Sequence, residues 1–213
     1  MIVVTVSRLL GTHGEEIARK VADEIAIPYV DREIVHETAT RAGVSEEALK
    51  DVDERRPSLL TRMAGIILGY PIDEEMGYPI ASIHSMPILT PENFRTLIED
   101  VIVEIADRGS AVIVGRGAHL ILRNRPNILR VQVYAPFEVR VGRVAVQQGL
   151  DKKAAEKVVR DSDRNRAGYM QAYFGVDWRE PSQYDLMINT GKISDGLAIS
   201  MVVSAANMIA SRT

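Results

Sequence analysis

Two stretches of the chain carry residue types that together could handle a phosphate. The first is Ser7-Arg8-Leu9-Leu10-Gly11-Thr12-His13-Gly14, set between a β-branched run and an amphipathic segment. A glycine-containing loop between a strand and a helix presents backbone N–H groups and a helix N-terminus to an anion, and its plain alternative is a tight turn without a ligand. The second is Arg160-Asp161-Ser162-Asp163-Arg164-Asn165-Arg166. Taken alone, this cluster reads first as a solvated helix face laced with ion pairs. Arg140 and Arg143 follow a predicted strand. With them, the loop and the cluster make a set of charge clamps, which is what phosphoryl transfer requires.

The common fingerprints of such chemistry are missing. No G-x-x-x-x-G-K-[ST] loop occurs, since Gly14 is followed by Glu15 and the Gly191-Lys192 pair is followed by Ile193. The dinucleotide pattern G-x-G-x-x-G is half met at Gly115 and Gly117, with Leu120 in the third position. Without cysteine, the chain has no disulfides, thiolate metal sites or thiol nucleophiles. His36, His84 and His119 have no metal-ligand spacing and are expected at the surface or at caps.

The elements that must position these residues follow from periodicity. Ile2 to Val6 reads as a strand and Ser7 to Gly14 as a loop. A helix from about Gly14 to Ala26 follows, with Ile17, Val21 and Ile25 on one stripe. Ile27 to Val30 is a short strand ending at Asp31, a residue that serves an acceptor site or caps the next helix. Residues 32 to 108 read as helical and irregular, and the proline- and glycine-rich stretch from Gly69 to Pro91 is expected to be the most mobile part of the free protein apart from the charged segment near residues 150 to 175. Thr90-Pro91-Glu92 starts a helix that stops at Gly109. Ala111 to Val114 and Leu129 to Tyr134 are strands, with Leu129, Val131 and Val133 alternating against Arg130, Gln132 and Tyr134. Pro136 opens one helix, Asp151 to Tyr173 is a charged second, Tyr184 to Ile188 is a last strand, and Ile193 to Ile209 is an apolar helix. Strands alternating with helices predict an open, mostly parallel α/β sheet, whose ligands lie at the carboxyl ends of the strands.

Composition bounds the partners. The 213 residues are 46% hydrophobic and 26% charged, with a net charge of -3, so general attraction to nucleic acid or anionic lipid is not expected. The N-terminal apolar run is too short for a leader. No stretch reaches the roughly 18 to 20 apolar residues that span a bilayer, so a cytoplasmic location without a membrane partner is expected.

Five runs then acquire a joint meaning: Ser7 to Ala18, Ile27-Pro28-Tyr29-Val30-Asp31, Val112-Ile113-Val114-Gly115-Arg116-Gly117, Asp163-Arg164-Asn165-Arg166-Ala167 and Tyr184-Asp185-Leu186-Met187-Ile188-Asn189-Thr190. With them the chain resembles, over nearly its whole length, the cytidylate kinase-like family of the nucleoside monophosphate kinase group. The Asp163 to Ala167 run is the most specific, because it is similar to the mobile lid of bacterial cytidylate kinases. The resemblance implies one domain over residues 1–213, an open parallel five-stranded sheet flanked by helices, an acceptor-binding helical segment over 32–95 and a lid over 150–175. It implies transfer of the γ-phosphoryl of ATP, with Mg2+, to a nucleoside monophosphate such as CMP. In that carry-over Gly11, Thr12, His13 and Gly14 hold donor phosphates. Arg116, Asp163 and Arg166 contact the acceptor, and Arg143 and Arg164 neutralise the transferring group.

The chain also departs from the family pattern. The usual loop lysine falls on Gly14, the magnesium-binding hydroxyl near Glu15 or Glu16, and the first loop glycine on Arg8. Gly117 stands where an acidic residue is frequent. No protein metal ligand carries over. Arg8, supported by a protonated His13 and opposed by Glu15, is the expected replacement for the lysine charge, and its alternative is a pair with a carboxylate such as Asp31. The rival readings are a nucleotide-binding protein that kept the fold and lost turnover, and a kinase for another small acceptor. Trp178, Tyr169, Tyr173 and Phe174 are expected to pack the base of the lid.

Overall fold

The computed structural model describes residues 1–42 and 91–211. The chain divides into two compact units, Met1–Asp31 with Ile102–Thr213, and Arg32–Val101. In the first unit five parallel strands lie in the order β2-β3-β1-β4-β5. They are β1 Val3–Arg8, β2 Tyr29–Val30, β3 Ala111–Val114, β4 Ile128–Tyr134 and β5 Leu186–Asn189. Among the described residues the α-helices are α1 Gly14–Glu24, α2 Arg32–Ala42, α3 Pro91–Arg108, α4 Ala118–Ile121, α5 Phe137–Gln148, α6 Lys152–Phe174 and α7 Asp195–Ala210.

β1 is central because its run of β-branched residues is buried on both faces, as a parallel sheet covered by helices demands. One face, carrying Val4, Val6, Val112, Val131, Val133 and Ile188, packs against Ile17 and Val21 of α1 and Ala198, Val202 and Ala206 of α7. A smaller cluster of Val141, Val144, Ala155 and Val159 joins α5 to α6. α5 ends at Gly149 and α6 at Gly175, both left-handed, so the glycines close these helices without a Cβ penalty. α6 starts on Asp151, whose carboxylate accepts from the Ala154 N–H at 2.8 Å.

Two differences from the expected elements bear on the site. β1 runs two residues past Val6, because Ser7 and Arg8 stay in register with Gln132 and Val133 of β4. Arg8 is thereby a strand residue, held by a ladder and not by a loop. The alternation of β4 also fails at Gln132, which is only 2% exposed, because the second face of the sheet is covered as well. The predicted charged helix is realised as one continuous helix of 23 residues.

In the second unit, Ile34, Thr38, Ile98 and Val101 are buried. The Thr38 hydroxyl donates to the Ile34 carbonyl, and Arg41–Glu37 and Arg95–Glu99 pair one turn apart. The stretch from Gly69 to Pro91, expected to be mobile, lies outside the described residues except for Pro91, the first residue of α3. Among the described residues no helix is long and apolar enough to cross a membrane.

Ile17 is 1% exposed at the centre of the α1–sheet contact. Ile17→Ala should cost about 2 to 5 kcal/mol in urea unfolding of the free protein, against less than about 0.5 kcal/mol for Met208→Ala on the exposed side of α7.

Candidate functional site

The loop between β1 and α1 has its carbonyls turned outward and tied. Leu9 O accepts from the Thr12 hydroxyl at 2.7 Å, Leu10 O from Arg140 at 3.5 Å and Gly11 O from Arg143 at 3.2 Å. Thr12 O accepts from the Thr190 hydroxyl at 3.0 Å, and His13 O from the Ile17 N–H at 2.9 Å. Peptide groups are planar, so tying successive carbonyls to one side turns their N–H groups to the other. Among the described residues, the N–H groups of Gly11 to Glu16 have no protein acceptor. This is the arrangement an anion completes.

Beside these groups lies a cavity of about 250 Å³, bordered by Arg8, Gly11, His13, Gly14, Glu15 and Arg166. Arg8 crosses it in a channel made by two glycines. A Cβ on Gly14 would collide with the Arg8 Cβ, and one on Gly115 would lie 2.5 Å from the Arg8 Nη1. The Arg8 guanidinium donates to Glu15 at 2.7 Å and lies 3.8 Å from Asp31, so both carboxylates face it. Gly14 thus makes room for an arginine arriving from the strand.

Arg116 follows β3 within Gly115-Arg116-Gly117, three consecutive left-handed residues closed by a hydrogen bond from Ala118 N to Gly115 O. Arg166 projects from α6, and its buried Nε has no hydrogen-bond partner. Burial, then the neighbouring charge of Arg8, and further that of Arg116, pull the Arg166 guanidinium down to about 10. Arg116 is lowered in the same way, by burial first and by Arg8 among its neighbours. Three arginines from three elements therefore sit within one another's fields.

The other candidates take different places. Arg143 donates to Gly11 O and to the hydroxyl and carbonyl of Thr190. Asp163 accepts a two-pronged pair from Arg140 at 2.9 and 2.7 Å. Arg164 points to solvent and pairs with Asp161 at 3.3 Å, away from the cavity lining. Thr12 is buried. His13, at a left-handed backbone position, contacts Asp195 of α7 at 2.8 Å. Asp31 lies beside Arg8 and accepts from Tyr29 at 3.4 Å. Sequence reasoning assigned no role to Thr190 or Asp195, and counted Arg140 among the phosphate clamps, whereas the structure turns it to Asp163. The signal for Thr190 and Asp195 was position, at the carboxyl end of β5 and the start of α7.

His119 is a correction to the expected surface histidine, since it is 2% exposed, within 3.1 Å of the Ser7 hydroxyl and stacked on Tyr184. His36 is exposed on α2 and His84 lies outside the described residues. Tyr169 packs on Tyr173 and Phe174, and the Trp178 carbonyl accepts from the Tyr184 hydroxyl. Burial, with the charges of Arg130 and Arg166, lowers His119 to about 4 from an ordinary 6.5. The unfolded chain then binds the extra proton, so this contribution to stability is complete above the unfolded value and is lost as pH falls towards 4. The loss should approach about 3 kcal/mol. His119→Phe should flatten the fall in urea midpoint between pH 6.5 and 4, and an unchanged slope would show that His119 does not drive it.

Comparison with known proteins gives this geometry relatives. Over 206 residues the chain is 27% identical to the cytidylate kinase of Pyrococcus horikoshii, covering 96% of this chain and 88% of that one. Over 220 residues it is 22% identical to the cytidylate kinase of Methanopyrus kandleri, covering 99% and 96%. Its backbone resembles the crystal structure of an uncharacterized protein from Eubacterium ventriosum, with a TM-score of 0.68 at 22% identity over 97% of this chain and 99% of that one, a likeness of fold. Residues 3–192 match the model of the cytidylate kinase-like family, so the match runs from β1 through the phosphate-type loop, the arginines and β5. The chain belongs to the cytidylate kinase-like family.

Proposed function

We propose that this protein is a nucleoside monophosphate kinase that moves the γ-phosphoryl of ATP to an acceptor nucleotide such as CMP. The observation that carries the reading is the loop with outward-tied carbonyls and unengaged N–H groups, set against Arg8 and Arg166 on one cavity. Gly11, Thr12, His13 and Gly14 supply backbone donors to the donor phosphates. Arg8 supplies the cationic charge that a loop lysine gives elsewhere. Arg116 and Arg166, with Asp31 and Asp163 nearby, serve the acceptor. Arg143 fixes the loop through Gly11 and Thr190, and Arg164 belongs to the proposed lid over residues 150–175. Residues 32–95 form the acceptor-binding segment of the same single kinase domain. The setting is cytoplasmic, and the partners are nucleotides, without nucleic acid or membrane.

In this reading an acceptor phosphate oxygen attacks the γ-phosphorus, the bond to the β-phosphate oxygen breaks, and ADP leaves. Catalysis is positioning and charge stabilisation, with little covalent work for the protein. The donor set does not form a metal cage. Among the described residues no three His, Asp or Glu side chains gather, and Glu15 is paired with Arg8. In this reading Mg2+ would arrive with ATP and supply charge neutralisation of the donor phosphates.

The second reading, nucleotide binding without turnover, is favoured by Glu15, whose carboxylate borders the cavity and occupies Arg8. Transfer from radiolabelled ATP to CMP, UMP, AMP and GMP, run beside calorimetric binding, separates the two. Label appearing in a nucleoside diphosphate supports the kinase, and binding without label selects the second reading.

Arg8→Ala should weaken ATP binding about tenfold, the equivalent of ~1.4 kcal/mol. Glu15→Gln should strengthen it about threefold or more by removing a repulsion and releasing Arg8. Titration calorimetry at fixed salt checks both, and two unchanged affinities would remove Arg8 from the phosphate site.

A further inference from the structure

Arg140 has no role in the phosphate chemistry above, yet it is one of the most heavily engaged side chains beside the loop. It is 4% exposed. Its Nε donates to Ala135 O at 3.2 Å, at the end of β4. Its two terminal nitrogens grip Asp163 at 2.9 and 2.7 Å, and Nη1 also reaches Leu10 O in the loop at 3.5 Å. Its backbone closes the same contact, since a Cβ on Gly11 would lie 2.8 Å from Arg140 O. One residue thus joins the end of β4, the phosphate-type loop and α6.

Asp163 and Arg166 are three positions apart on α6 and share one helix face. Asp161 and Arg164 pair with each other on the more exposed side of the same helix. The rotation of α6 about its axis therefore decides whether Arg166 meets the cavity. Arg166 borders that cavity with its Nε unpartnered, so a hydrogen bond at that nitrogen does not hold it there. A two-pronged guanidinium–carboxylate pair fixes distance and angle together, which a single contact does not.

We infer that Arg140 is a positioning residue: its fork to Asp163 sets the rotation of α6, and this brings Arg166 to the phosphate-binding cavity. The inference rests on the proposed nucleotide binding at Arg166. It gives Asp163 an indirect part in acceptor binding, through the orientation of its helix.

The test is a double-mutant cycle read by titration calorimetry. The probe is whichever of CMP, UMP, AMP and GMP the wild type binds most tightly. Arg140→Lys keeps the charge and loses the fork, and Arg166→Ala removes the guanidinium that the fork orients. Each alone should weaken binding about tenfold, and the double variant should be no more than about twofold worse than the weaker single variant. Effects that multiply to about a hundredfold would show that Arg140 acts independently of Arg166 and would overturn the inference while leaving the nucleotide reading in place. An Arg166→Ala variant with unchanged affinity, or a wild type that binds none of the four, would overturn both. Asp163→Asn opens the same fork while leaving Arg140 its bonds to Ala135 and Leu10, and it replaces Arg140→Lys in the cycle if that variant does not fold. Rescue supplies a further distinction. Asp163→Glu, which restores a carboxylate, should recover more affinity than Asp163→Asn, and equal losses in the two would again overturn the inference.

Discussion

Like charges held together in a poorly solvated place repel, and the geometry around the cavity answers that constraint. Arg8, Arg116 and Arg166 come from β1, the turn after β3 and α6, and burial first, then the charges of Arg8 and Arg116, lower Arg166 to about 10. In the free protein Glu15 and Asp31 compensate Arg8, while Arg166 keeps a buried nitrogen without a partner. A bound polyanion would replace mutual repulsion with attraction at every one of these groups. The surrounding structure holds the charges close despite that repulsion. It ties the loop carbonyls from behind, closes a left-handed turn around Arg116, and locks α6 to α5 through Arg140 and Asp163.

The sheet determines where this can happen. In a parallel sheet all strands end on the same side, so the segments after β1, β3, β4 and β5 converge without further design. β1 lies between β3 and β4 and places Arg8 over Gly115. β4 leads through Ala135 into α5 and its two inward arginines, Arg140 and Arg143. β5 delivers Thr190, whose hydroxyl meets both the loop and Arg143. The aliphatic core beneath, Val4, Val6, Val131 and Ile188 against Ile17 and Val202, is what keeps these ends in register.

The five strands and the helices around them were legible in the sequence because β-branched runs and 3.6-residue stripes are local signals. The site was legible by type and less so by partner. Arg8, Arg166 and the loop glycines were identifiable, but the choice of Glu15 as the first partner of Arg8 depends on where α1 starts relative to the extended β1. Arg140 and Arg143 looked alike in sequence, and only three-dimensional placement turns one towards Asp163 and the other towards Thr190. His119 and Gln132 were misread for one reason: a polar residue signals solvent unless a second layer covers it, and that layer is assembled from distant segments. Gly117 could not be explained from sequence at all. The ring of Phe174 fills the space that a side chain at this position would need.

The pairing of β1 carries a consequence for how the molecule is made. The strand hydrogen-bonds to Ala111–Val114 on one side and Ile128–Val133 on the other. Both neighbours emerge roughly a hundred or more residues later, and closing loops of that length is the slow step of parallel topologies. Until then an apolar, β-branched edge has no neighbours, and an unpaired edge of this kind pairs readily with other chains. The central strand of the finished sheet is thus the segment most in need of protection on the way to it. The loop that follows β1 leaves a strand whose two ladders are both long-range.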